Sequence, residues 1–199
     1  MNRVVVTRSC LCAMGWKQLA RRVILHVSGR MKFILLTTAL LLTLGAVQVR
    51  ADRVNVPKED PVVTINIPKS WEPEHDDEGV GVQAESPDNF ATIYAEVVAS
   101  KEELKDAIDA SVEWLMKDCE VAVDEKSQSD SDFEVEGRQW SRISWKGKHP
   151  ESGAAVVGFL FTDAGDGHVL TITYWLEEKQ SEKGLEALGK ILASVKPVE

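Results

Sequence analysis

Between residues 62 and 193 most apolar residues recur at every second position, and only two stretches recur at three and four. Such a pattern restricts the chain to a sheet with a few helices laid against it. In the run over 62–67, Val63, Ile65 and Ile67 share one side and Thr64 and Asn66 the other, and Pro68 stops the run. Runs over 80–84 and 90–98 flank the turn residues Glu85, Ser86, Pro87, Asp88 and Asn89. Ser100 and Glu103 then form an S-x-x-E capping box, in which each side chain serves an orphan backbone N–H of the first turn. Leu104, Ala107, Ile108, Ser111 and Leu115 continue as a helical stripe, and Lys117 suits the negative end of the helix dipole. Four strand-like runs follow, over 120–126, 133–148, 153–163 and 168–176, with a hairpin loop over 163–167. The third is apolar on both faces, which predicts an interior position in the sheet. A closing helix over 178–193 turns Leu185, Leu188, Ile191 and Leu192 toward the core. The order βββαββββα predicts an α+β fold, a mostly antiparallel sheet of about six to seven strands packed with two helices.

What precedes the first run is of another kind. The first 51 residues hold eight basic side chains and no acidic one, whereas the rest of the chain carries 15 basic against 32 acidic, a formal net charge of −17. Lys32 precedes an uncharged, Leu-rich stretch of 17 residues that runs to Val49 and is followed by Arg50 and Ala51. A positive start, an apolar centre and a small residue at the end are the parts of a secretory signal peptide, here over 31–51, with cleavage between Ala51 and Asp52. A retained membrane anchor is the alternative, although 17 residues is the short limit for crossing about 30 Å of hydrocarbon. Residues 1–30, ahead of Met31, read as an upstream extension or a long basic leader. Residues 52–60, polar and holding Pro57, read as a linker to a single domain over 61–199.

Export brings an oxidising compartment, yet beyond the leader only Cys119 remains, so no internal disulfide staples the domain. About 140 residues suffice to bury a core without one. The same segment holds three histidines, His75, His149 and His168, each in or beside a turn, and no G-x-S-x-G elbow. Cys119 is followed by Glu120, the wrong charge for stabilising a thiolate. The segment His75-Asp76-Asp77-Glu78 lacks the spacing that fixes a metal geometry. Counted from Asp130, a calcium loop would need Gly and Glu where Val135 and Ser141 stand, so the acids at 130–136 read as the solvent side of a strand. No catalytic, cofactor or metal residue is assigned. A net −17 excludes nucleic acid as a partner, because phosphate would be repelled at every approach.

One cluster remains. In the run over 133–148 the even positions include Arg138, Trp140, Arg142 and Lys146, while Val135, Ile143 and Trp145 are odd. Parity turns the odd set to the core and places Trp140 on the exposed side, unless a bulge at Gly137 shifts the register by one and exchanges the faces. The four form a candidate partner patch, an aromatic platform with cations for an anionic group or an acidic segment. Cross-strand pairing of these cations with Asp124 and Glu125 is the competing account and the favoured one.

The chain resembles the PsbP-like fold over about 60–196. The resemblance is carried by Ile67-Pro68-Lys69-Ser70-Trp71 after the first strand, by Val135-Glu136-Gly137-Arg138, and by the ending Ile191-Leu192-Ala193-Ser194-Val195. It is most similar to small exported bacterial domains of the DcrB kind. The resemblance implies an accessory or binding role and no shared catalytic residues. Together these readings predict an exported, non-catalytic binding or accessory module, periplasmic or secreted, acting on a protein or envelope component without cofactor. A small extracytoplasmic hydrolase or metal-dependent enzyme is the alternative.

Overall fold

A computed structural model describes residues 51–100 and 103–198. The segments expected to be a signal peptide and an upstream extension lie outside the described residues, apart from Ala51.

The strands are β1 (Ala51–Val56), β2 (Val63–Pro68), β3 (Glu74–His75), β4 (Gly81–Glu85) and β5 (Ala91–Val98), followed by helix α1 (Leu104–Lys117). Then come β6 (Ala122–Val135), β7 (Arg138–His149), β8 (Gly153–Gly165) and β9 (His168–Glu177), helix α2 (Ser181–Ala193) and β10 (Lys196–Pro197). The main sheet has seven strands in the order β3-β4-β5-β9-β8-β7-β6, and β1-β2-β10 form a second sheet of three. All the pairings are antiparallel. The fold class expected from the sequence is the one observed, with two helices and seven strands in the main sheet.

Each face of the main sheet has its own cover. On one, Val82, Ile93, Ile172, Leu176 and Trp140 meet Val54, Val56, Ile65 and Ile67 of the small sheet and Leu188, Ile191 and Leu192 of α2. On the other, Leu115 of α1 meets Val157 and Trp175, and Ala107 meets Val98 and Val169. β8 is interior, as its two apolar faces require, but the centre is taken by β9, buried from Val169 to Leu176. Period-two alternation is lost there because both sides of the strand are covered.

Helix α1 begins at Leu104 and not at Ser100, and Glu103 at its N-cap position makes no side-chain cap. Ahead of it Ser100 Oγ accepts the Glu103 N–H at 3.3 Å, but the Glu103 carboxylate accepts the N–H of Ala99 at 3.2 Å, so the reciprocal capping box is not formed. At the other end of the chain, Ser194 Oγ accepts the Asn66 N–H at 2.8 Å and donates to the Ile191 carbonyl at 2.6 Å. The terminal motif thus fastens α2 to β2.

Three expectations need correction. Residues 52–60 are not a linker: β1 pairs with β2 from Ala51↔Pro68 to Val56↔Val63, and its Val54 and Val56 are buried. The run over 133–148 is not one strand. It breaks at Glu136 and Gly137, whose φ values of 49° and 78° make a two-residue connection between β6 and β7. Leu185 does not face the core but is 43 % exposed, and Gly184 takes the contact with Leu176 instead.

Candidate functional site

The turn at Glu136-Gly137 decides where the candidate patch lies. Across it Val135 pairs with Arg138 and Phe133 with Trp140, and directly paired residues share a face. From Ser129 to Val135, odd positions of β6 therefore stand beside even positions of β7. Phe133 and Val135 point inward, so Trp140 does too, and it is 1 % exposed within the main core. The expected aromatic platform does not exist. Trp145, expected in the core, is half-buried on the α1 side beside Val157 and Trp175.

The cations part company. Arg138 donates to the Asp163 carbonyl at 2.6 Å, and Lys146 is exposed. Arg142 is half-buried. Its guanidinium lies 5.9 Å from the Phe133 ring centroid and its Nε donates to Ser131 Oγ at 3.1 Å. The favoured account, pairing with Asp124 and Glu125, is not what the structure shows. Asp124 stands in register with Lys146, yet its carboxylate accepts the Lys126 N–H at 3.1 Å, and Glu125 falls in the irregularity between Asp124 and Ser129. Among the described residues no cation of β7 makes an ion pair. The pairs found are Lys105–Asp109, Lys117–Glu113, Lys190–Glu186 and Lys183–Asp88.

A second feature was not read from the sequence. A cleft of about 400 Å³ opens between the end of the small sheet and α2, lined by Ala51, Pro68, Trp71, Phe90, Ala187 and Ile191 among others. Trp71 meets Phe90 edge-to-face, with centroids 6.0 Å apart. Lys183 lies 4.0 Å above the Phe90 ring and 3.1 Å from the Asp88 carboxylate, which ties the start of α2 to the β4–β5 turn. The cleft draws its wall from segments more than 100 residues apart, so no local period announces it. Pro68 and Trp71 were its only local trace.

The titratable groups are held in structural roles. Burial alone would raise Asp76, but hydrogen bonds from the Tyr94 hydroxyl and from the Gly81, Val80 and Gly79 backbone hold its carboxyl below the usual range. That carboxylate is 2.7 Å from Gly81 N, 2.9 Å from Val80 N and 2.9 Å from the Tyr94 hydroxyl, and it closes the turn between β3 and β4. A side chain at Gly81 would overlap the Tyr94 ring, which crosses there to reach Asp76. Burial pushes the Cys119 thiol up to about 12, with Asp118 and Glu85 adding to the shift, so it carries no nucleophilic thiolate near neutral pH. His149 stacks on Trp175 at 4.9 Å, and its Nδ1 accepts the Glu151 and Ser152 N–H groups. His75 Nδ1 bonds the Gly81 carbonyl at 3.0 Å. Among the described residues no group of three His, Cys, Asp or Glu is placed to hold a metal ion, and no helix is long and apolar enough to cross a membrane.

Two solved structures resemble this one. The solution structure of cyanobacterial PsbP from Synechocystis sp. PCC 6803 is 10 % identical, with 77 % of this chain and 96 % of that one covered at a TM-score of 0.49. The crystal structure of LpqN, involved in cell envelope biogenesis of Mycobacterium tuberculosis, is 14 % identical, with 75 % and 92 % covered at 0.47. Both are low-scoring likenesses between chains with little sequence in common. The narrower resemblance to DcrB-type domains rests on sequence motifs alone. No family model matches the chain, and no curated protein does.

Proposed function

We propose that this chain is an exported, non-catalytic binding module that takes an apolar group of a protein or envelope component into the cleft between Trp71 and α2. The cleft carries the reading. It is concave, walled by Trp71, Phe90, Ala187 and Ile191, and rimmed by Lys183, Glu186 and Lys190, a combination suited to an apolar insert with a polar collar. Export rests on the leader, whose charge and apolar centre differ from everything after Ala51.

The test uses an apolar fluorescent probe, 1-anilinonaphthalene-8-sulfonate, with the native protein and with Ala187→Trp, which fills the cleft from its helical wall. The native protein is expected to enhance probe emission saturably. The variant should lose that enhancement while keeping the native urea midpoint. Equal enhancement by a folded Ala187→Trp protein would sink the cleft as the binding site.

A further inference from the structure

The second feature that invites a ligand is Arg142. It stands on β7, in the main sheet's outer strand pair with β6, and has three neighbours. Phe133 lies beneath the guanidinium and Ser131 takes its Nε–H. The third is Tyr174, reached across β8. Tyr174 pairs directly with Gly158, and a Cβ at Gly158 would lie 2.4 Å from the Tyr174 Cζ and hydroxyl oxygen. Only glycine lets that ring lie flat over β8, and the phenol then comes within reach of Arg142. Burial raises the Tyr174 pKa, with the Arg142 charge and hydrogen bond opposing it, so the phenol stays a neutral O–H donor beside the guanidinium.

In a domain with 32 acidic residues, a half-buried guanidinium would be expected to sit against a carboxylate. This one has none within 4.0 Å among the described residues, and the Tyr174 hydroxyl is the one acceptor there for its terminal nitrogens. Those nitrogens form a fixed planar fork whose geometry matches two oxygens of one anion. Lys146, farther along the same face and also without an ion pair, adds positive charge on the approach.

We propose that Arg142, with the Tyr174 and Ser131 hydroxyls, is a subsite for a single oxyanion, a carboxylate or a phosphate presented by a ligand. A polyanion does not suit it, because the −17 of the surrounding domain repels every charge beyond the one the fork neutralises. The subsite is separate from the apolar cleft and stands or falls without it.

The experiment is a titration at low ionic strength, followed through the Arg142 Nε–H and the Ser131 and Gly158 amide resonances of the purified protein. Inorganic phosphate and glutarate are added separately. Saturable shifts at these three positions, larger than those at Arg53, are expected with at least one anion, and whichever saturates identifies the phosphate or the carboxylate source. Arg142→Lys keeps the charge and loses the fork, so its binding, read at Ser131 and Gly158, should weaken about 10-fold, and Tyr174→Phe should weaken it several-fold. Both variants preserve most of the packing volume, and their amide spectra report whether the sheet is intact. Shifts that rise linearly with either anion and match those at Arg53 would reduce the effect to screening and overturn the proposal. So would undiminished binding by a folded Arg142→Lys protein.

Discussion

At the scale of single residues, two tryptophans five positions apart exchange the roles that parity assigns them. Trp140 has 1 % of its surface exposed and sits in the larger core, while Trp145 is half-buried in a smaller cluster under α1. Trp140→Ala should therefore cost about 3–5 kcal/mol, as a large side chain leaves a cavity that α2 and the small sheet cannot both close. Trp145→Ala should cost clearly less. Urea denaturation of the two variants checks the order, and a larger loss at Trp145 would mean the strand is turned the other way. The residues contributing to this error are Glu136 and Gly137. Alternation in sequence is continuous through them, but a two-residue connection reverses the chain, so parity must be counted afresh on each side. Glu136 at φ 49° is an uncommon occupant of a left-handed position, and a Glu-Gly pair is a weaker signal than Asn-Gly or Asp-Gly. What sets Arg142 apart, the Tyr174 ring lying over Gly158, joins residues on three strands and has no local signature.

At the scale of elements, those with a clear period or a sustained apolar run were legible: α1, α2, and strands β2, β4, β5, β8 and β9. The missed ones are short or polar. β3 and β10 have two residues each, and β1 reads ADRVNV, whose two buried valines lie among charged and polar neighbours. Their pairing comes from tertiary contacts, which override weak local preference. β6 is a sheet edge carrying Asp130, Asp132 and Glu134 outward, and charge on an exposed edge hinders pairing with another chain. The β3–β4 element also predicts how stability depends on pH. Asp76 has its carboxyl pKa lowered by its hydrogen bonds, so its contribution is present above about the unfolded value of 3.8 and is lost as pH falls through the folded one. Glu96, next along β5 on the same face, has the opposite sign. Burial first, and then the Asp76 charge, raise its pKa above 4.5 despite a hydrogen bond from Thr171. Its folded form prefers the proton, so stability falls as pH rises from about 4.5 through the folded value. Glu96→Gln should accordingly raise the denaturation midpoint at pH 7 and leave it unchanged near pH 3, where both states hold the proton. Asp76→Asn should lower the midpoint at pH 7 and flatten the acid limb. Melts across pH 3–8 check both, and a Glu96→Gln protein less stable at neutral pH would show that its carboxylate is satisfied in the fold.

At the scale of the whole molecule, the place of the expected cut becomes a structural question, because cleavage between Ala51 and Asp52 falls within β1. Ala51 is exposed and stands opposite Pro68, so a chain that begins at Asp52 keeps Val54 and Val56 in the core. A cut a few residues later would not be neutral. Removing β1 uncovers the edge of β2 and takes away two valines with 9 % and 0 % exposure, each contributing about 1.5–3 kcal/mol when buried. The three-stranded sheet would be left with β2 and the two residues of β10 beside α2 as the cover for one face of the main sheet. Two shortened chains test this, one starting at Asp52 and one at Pro57. The first should melt with the same midpoint as a chain that keeps Arg50 and Ala51. The second should lose several kcal/mol in urea denaturation or fail to fold. N-terminal sequencing of exported material should then give Asp52, because the fold tolerates that end and not one beyond Val54. A mature end at Pro57 with undiminished stability would return residues 52–56 to the status of a linker and remove β1 from the core.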